Sequence, residues 1–390
     1  MKSLSLSLLF VLSGTSQLAT AAEDLAAKVV PQVVPALAEG SRPWRSPQFG
    51  TQKEALGYSE TAFAVPKGME KQVQFWVDIY SKYTTQQGVI HDSENVDVIY
   101  EVVDLSGLKT DRERQRKIDA AKKVISEKLS KDERERLRYQ LGQKDRIRDG
   151  IFYSGRYIEE METIFKEAGL PIELTRLAFV ESSFNVMARS KVGASGIWQI
   201  MGYTARPYKM VSPTVDKRNH PMEATKLAAK LLRSNYNMLE SWPLAVTGYN
   251  HGPTGVRKIA DFHKTKDISI LVQKVDSKKS LGFASRNFYA SFLAALEVEK
   301  NAPKYFGSVV WSKPLDGQDL KLPVSVRYKD ILHWFDGDDD KAQLFNPHLT
   351  SVARKGRPIP AKTVISVPKD KYNVALISLA RKDRTVASER

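Results

Sequence analysis

Leu170-Pro171-Ile172-Glu173-Leu174-Thr175-Arg176-Leu177-Ala178-Phe179-Val180-Glu181-Ser182-Ser183-Phe184-Asn185 is the stretch on which the fold turns. Its apolar residues Leu170, Leu174, Leu177 and Ala178 recur at helical spacing, so the segment following Pro171 is predicted to be a helix with one buried stripe. Glu181 stands seven residues beyond Leu174, on that same stripe. A carboxyl group on an apolar face loses hydration when ionised, which raises its pKa and suits it to donate a proton. From stripe position alone, a structural glutamate that caps a neighbouring helix is the better reading. The residues around it reverse that preference.

Downstream come Ala188-Arg189-Ser190, then Gly193-Ala194-Ser195-Gly196-Ile197-Trp198-Gln199-Ile200-Met201, and Thr204-Ala205 closes the run. Further on stand Gly248-Tyr249-Asn250-His251-Gly252 and Arg286-Asn287-Phe288 with Phe292-Leu293-Ala294-Ala295. Arg156-Tyr157 and Ala168-Gly169-Leu170-Pro171 precede the helix. Over residues 146–306 this arrangement resembles the lytic murein transglycosylase family, with its soluble-lytic-transglycosylase catalytic domain, and within it the branch of membrane-bound lytic murein transglycosylase D. The resemblance implies a mainly α protein whose catalytic domain is lysozyme-like and α-helical. It implies Glu181 as the catalytic acid, with Ser190, Gln199, Met201, Tyr249 and Asn250 binding substrate. Tyr249 and Asn250 are then expected to face Glu181 across a cleft. The substrate implied is the glycan strand of peptidoglycan. Glu181 would protonate the glycosidic oxygen between N-acetylmuramic acid and N-acetylglucosamine, then act as base on the C6 hydroxyl of the same sugar, leaving a 1,6-anhydro end. Such a reaction calls for no metal and no cofactor.

The residue types suit that chemistry. Gly193 and Gly196 permit a tight backbone at the front of a sugar groove, for which a β-hairpin is the expected shape, and Ala194 and Ser195 keep it shallow. Ser190 and Gln199 can donate hydrogen bonds to acetamido and hydroxyl groups, and Trp198 and Met201 offer apolar faces to pyranose rings. Taken singly, Trp198 and Met201 are better read as core. A hydrolase of the common type needs two acids flanking the bond, and the motif supplies one. Asp216, Glu223, Asp261 and Glu297 stand beside no catalytic motif, and Asp216, ahead of Lys217-Arg218, reads as a cap or ion pair. The chain departs from the family pattern at His251, where alanine is usual, and at Phe288, where a tyrosine that orients the acid is usual.

Sixty Lys plus Arg against 45 Asp plus Glu give 390 residues a net charge of +15 and a pI near 9.6, which calls for an anionic partner. A mean hydropathy of -0.37 with 42% hydrophobic residues excludes a fibrous or wholly disordered chain. Lys2, an apolar run from Leu4 to Leu12 and Ala19-Thr20-Ala21-Ala22 before Glu23 read as a signal peptide over 1–22, against the alternative of a buried N-terminal helix. Export to the periplasm or the medium follows, which leaves no role for nucleic acid. Without cysteine there is neither a disulfide framework nor a lipid anchor, and no later stretch is apolar enough to span a bilayer. A monomer is expected.

Residues 23–68, with Pro31, Pro35, Pro43, Pro47 and Pro66, read as a flexible segment. Val73, Trp76, Val77 and Tyr80 form one helical face at the start of a mostly helical region, 69–149, in which residues 96–103 look strand-like and Ser130 with Glu133 forms a capping box. The catalytic domain is expected over 150–307. Residues 308–390, punctuated by prolines between short β-branched runs, read as a small α+β appendage that weakly resembles a LysM module over 328–368. Asp336-Gly337-Asp338-Asp339-Asp340 lacks the Gly and Glu of a calcium loop and reads as an acidic turn. The histidines show no zinc spacing, and Gly193-Ala194-Ser195-Gly196 is no nucleophile elbow. Two rival functions remain at this point: a muramidase that hydrolyses the same bond, and a module that binds peptidoglycan without cutting it.

Overall fold

Nearly every residue from Ala284 to Val298 is buried, and a helix that is buried all round must sit at the centre of its domain. In the computed structural model, which describes residues 63–275 and 279–388, that helix is the spine. The expected signal peptide, 1–22, and residues 23–62 of the expected flexible segment lie outside the described residues. The chain is mainly helical with three small sheets.

Helix α1, Glu70–Ser81, is the first element of the described residues, and β1 (Gln87–Asp92), β2 (Ile99–Asp104), α2 (Asp111–Ser126), α3 (Lys131–Arg136) and β3 (Leu137–Leu141) follow. Next come α4 (Lys144–Ser154), α5 (Ile158–Glu167), a 3-10 turn at Ile172–Arg176, α6 (Leu177–Ser182), β4 (Ala194–Ser195), β5 (Ile200–Met201) and α7 (Gly202–Ala205). Then α8 (Pro221–Leu239), α9 (Trp242–His251), α10 (Pro253–His263), α11 (Ile268–Leu271), α12 (Phe283–Lys300) and α13 (Ala302–Phe306) complete the main body. One apolar core takes in residues from Met69 to Ala302, with α1, α6 and α9 packed on α12. Packing therefore does not break at residue 150. The face Val73, Trp76, Val77 and Tyr80 is buried in this core as the periodicity predicts.

Residues 69–149 are less helical than expected, because they also hold a three-stranded antiparallel sheet in the order β2-β1-β3. Strand β1 is buried over five of its six residues, so it shows no alternation, and β3 lies in a run dense with charge. The capping box of Ser130 and Glu133 forms as read and starts α3. Trp76 joins α1 to α12 by donating from Nε1 to Oδ1 of Asn287 at 3.0 Å. Trp76→Phe, which loses this buried bond and some ring area, is expected to cost about 1–2 kcal/mol in a urea unfolding curve.

Beyond α13, strand β6 (Gly317–Lys321) pairs antiparallel with β7 (Val364–Pro368) across helices α14 (Tyr328–His333), α15 (Asp339–Phe345) and α16 (Ser351–Arg354), and α17 (Tyr372–Ser388) follows. This α+β appendage has its own core, in which Trp334, Ile331, Ile365 and Val367 are buried. It docks on the loop 211–216: the Asp216 N–H donates to the His348 carbonyl at 2.8 Å, and the Thr350 N–H donates to the Thr214 carbonyl at 3.1 Å. In the acidic turn, Asp338 caps α15 through the Lys341 N–H at 2.9 Å, and Asp336 pairs with Lys371 at 2.8 Å.

Candidate active site

The helix that carries Glu181 is pinned at its entry. Arg176, 3% exposed, is paired with Glu162 of α5 and, at 3.2 Å, with Glu299 of α12, so its buried charge is neutralised from both neighbours. At the exit, Ser183 and Phe184 adopt left-handed backbone angles (φ 49° and 60°) that stop α6 just past Glu181. Ser182 Oγ then donates to the Ile197 carbonyl at 2.9 Å, which ties the end of α6 to the loop between β4 and β5.

Glu181 is 6% exposed. No cation offsets that burial, and desolvation alone pushes its pKa up to about 8. The acid is thus protonated at neutral pH, the state a proton donor must start from. Tyr249, on α9, lies within the electrostatic reach of Glu181 and donates its O–H to the Trp198 carbonyl at 3.0 Å. Burial holds that phenol protonated. Beside it, Asn250 Oδ1 accepts from Ser285 Oγ at 2.8 Å, and Ser285 Oγ lies 3.1 Å from His251 Nδ1. His251, the departure from the family pattern, is therefore part of the bonding that fixes Asn250.

Strands β4 and β5 form the expected hairpin, Ala194 opposite Met201 and Ser195 opposite Ile200. Gly193 and Gly196 both have positive φ, 94° and 78°. At Gly196 a Cβ would sit 1.9 Å from the Arg218 carbonyl oxygen, so no other residue fits there without displacing the backbone. Ser190 Oγ accepts from the Ala194 N–H at 2.9 Å, which leaves its own O–H as the donor. Gln199, at φ 43°, turns its Nε2 onto the carbonyls of Ala188 (3.1 Å) and Gly196 (2.8 Å), and its buried Oε1 has no partner. The amide thus holds the loop with its nitrogen and keeps an acceptor in reserve. Met201 is half-buried on β5. Trp198 does not line the groove as one of the apolar faces considered for sugar rings. It is fully buried, stacked on Phe165 at 5.7 Å with Nε1 donating to Thr225 Oγ1 at 2.8 Å, because the tight turn at Gly196 swings the ring inward.

Asp216 is both cap and ion pair, accepting from the Arg218 N–H and pairing with its guanidinium at 2.7 Å. The consequence that sequence reasoning missed is on Arg218, which donates to the carbonyls of Gly193 (2.7 Å) and Ile200 (3.0 Å) and so braces the hairpin. Only the adjacency of Asp216 and Arg218 hinted at it. Among the described residues no group of three or more His, Asp or Glu is placed to hold a metal ion, and no helix is long and apolar enough to cross a membrane.

Residues 161–272, which span Glu181, the hairpin and Tyr249-Asn250 of α9, match the family described as Transglycosylase SLT domain. The chain is 27% identical over 184 residues to membrane-bound lytic murein transglycosylase D from two strains of Escherichia coli, a match that covers 46% of this chain and 40% of the relative. The chain thus spans less than half the length of those relatives. Among solved structures, an inactive mutant of the lytic transglycosylase Slt from Pseudomonas aeruginosa is 18% identical with a TM-score of 0.32, covering 50% of this chain and 29% of that one. Residues 161–272 are a transglycosylase SLT domain, and the chain that carries them is a distant homologue of membrane-bound lytic murein transglycosylase D.

Proposed function

We propose that this protein is a peptidoglycan lytic transglycosylase that cleaves the bond between N-acetylmuramic acid and N-acetylglucosamine without water and leaves 1,6-anhydro ends. The observation that carries the reading is the one acid of the motif, Glu181, buried and held protonated at neutral pH by desolvation alone. A lone acid suits a reaction in which the substrate supplies its own nucleophile, the C6 hydroxyl, and does not suit a two-carboxylate hydrolase. In this scheme Glu181 gives its proton to the glycosidic oxygen and, as carboxylate, takes the C6 hydroxyl proton as the ring closes. Ser190, Gln199, Met201, Tyr249 and Asn250 hold the sugars, with the Ser190 O–H left to donate to them.

The net charge of +15 suits a wall polymer lined with carboxylates, and the same reading places the chain outside the cytoplasm, exported by the segment 1–22. In the proposed organisation, 150–307 is the catalytic unit and 308–390 a LysM-like appendage for the wall, in keeping with two strands that pair across intervening helices. Digestion of purified sacculi followed by mass spectrometry tests the activity: anhydromuropeptides, one water lighter than reducing-end species, are expected, and reducing ends alone would refute it. Because the acid must begin protonated, the rate of lysis is also expected to be level through neutral pH and to fall as pH rises through about 8. A rate that climbs through that range would assign Glu181 the opposite protonation state.

A further inference from the structure

Asn250 and His251 are the last two residues of α9, and Gly252, at φ 88°, turns the chain from there straight into α10. Ser285, buried in the first turn of α12, meets both of them: its Oγ donates to Asn250 Oδ1 at 2.8 Å and lies 3.1 Å from His251 Nδ1. A serine hydroxyl has one hydrogen. That hydrogen goes to Asn250, so toward His251 the oxygen can only accept, and the imidazole proton stands on Nδ1. Burial lowers the His251 pKa, so the ring is neutral at pH 7 and carries no second proton. The bonds therefore run one way, from His251 Nδ1–H to Ser285 Oγ and from the Ser285 O–H to Asn250 Oδ1.

The ring is seated as well as bonded. Across the turn at Gly252 it lies against Gly255 of α10, where a Cβ would come within 2.7 Å of His251 Cδ2 and 2.9 Å of Nε2. Gly255 has no positive φ, so what its missing side chain provides is space for the imidazole. An asparagine amide keeps its shape when it is turned over and exchanges its hydrogen bonding, because its oxygen accepts and its nitrogen donates. Turned over, Asn250 would set its NH2 against Ser285, whose hydrogen would then have to go to an unprotonated Nδ1. The proton on Nδ1 forbids that arrangement and holds the oxygen on Ser285, with the NH2 as the opposite end of the amide.

We propose that His251 is a positioning residue that, through Ser285, fixes Asn250 with its amide nitrogen toward the sugar, so that the site takes a carbonyl oxygen there and selects N-acetylated glycan over glycan with free amines. The inference rests on the substrate-binding role proposed for Asn250 above. An acetamido group brings an acceptor to that NH2, whereas a de-acetylated sugar brings an amine that is protonated at pH 6 and can only donate.

Calorimetric titration at pH 6 with a tetramer of N-acetylglucosamine, and with the same tetramer fully de-acetylated, measures the preference as a ratio of Kd values. His251→Ala leaves the amide able to turn over and is expected to reduce that preference roughly tenfold. His251→Asn returns an N–H donor to Ser285 and should keep most of it. Gly255→Ala removes no bonding group but pushes the imidazole off its seat, and should reduce the preference in the same direction as His251→Ala. A histidine that only supports the fold would weaken both tetramers alike, so an unchanged ratio in His251→Ala overturns the proposal. So does a wild type without preference, or a His251→Asn no better than His251→Ala. Should the preference respond as expected while the wild type releases no anhydro products from sacculi, the proposed function fails and the selectivity assigned to His251 stands.

Discussion

Glu181→Gln is expected to lower the lysis of purified sacculi at least about a hundredfold, the lower range for removing a general acid, while binding to sacculi is retained. Glutamine keeps the shape and polarity of the side chain and has no proton to give. The same substitution has a second signature in stability. In the folded chain the carboxyl holds its proton to about pH 8, whereas the unfolded chain releases it near the ordinary value of 4.5. Between those values the unfolded state binds fewer protons, so the wild type loses stability as pH rises through the window. An amide does not titrate, so Glu181→Gln should match the wild type near pH 4 and be the more stable of the two at pH 8. Urea unfolding at the two pH values measures it. Near-normal lysis by a folded variant would remove Glu181 from the mechanism.

Gly196→Ala should be the most damaging single methyl that can be added to the hairpin. At φ 78° alanine is strained, and its Cβ would meet the Arg218 carbonyl at 1.9 Å, which is backbone and cannot rotate away. A loss of at least about 3 kcal/mol is expected, from the strain and the forced displacement together. The damage should appear first in the hairpin, because Arg218 also holds the carbonyls of Gly193 and Ile200. Amide exchange over 194–201 should accelerate before the rest of the chain unfolds. Gly193→Ala is the internal comparison: its φ is also positive, but an added Cβ meets nothing within 4 Å, so a smaller loss is expected. Equal losses at the two positions would show that contact with Arg218 is not what decides the cost.

What was legible in the sequence was chemistry tied to local spacing. Glu181 could be placed on an apolar helix face because Leu174, Leu177 and Ala178 mark that face, and Gly193 with Gly196 announced a hairpin because few other residues take such backbone angles. The aromatic run of α1 likewise announced a buried face. Periodicity says which side of a helix is buried and not what it is buried against, so the bond from Trp76 to Asn287 of α12 could not be read. The brace from Arg218 was hidden for a related reason, since its acceptors are backbone carbonyls that leave no mark on residue type. Strand β1 was missed because both its faces are covered, whereas Trp198, stacked on Phe165, is the core residue that its type taken singly favoured.

The loop 211–216 is stitched on one side to His348 and Thr350 of the appendage, and at Asp216 it grips the arginine that props the hairpin. Appendage and hairpin are therefore joined through the ion pair of Asp216 and Arg218. One end of this bonded series is backbone of the appendage and the other is backbone of both hairpin strands, so the two are not built as separate pieces.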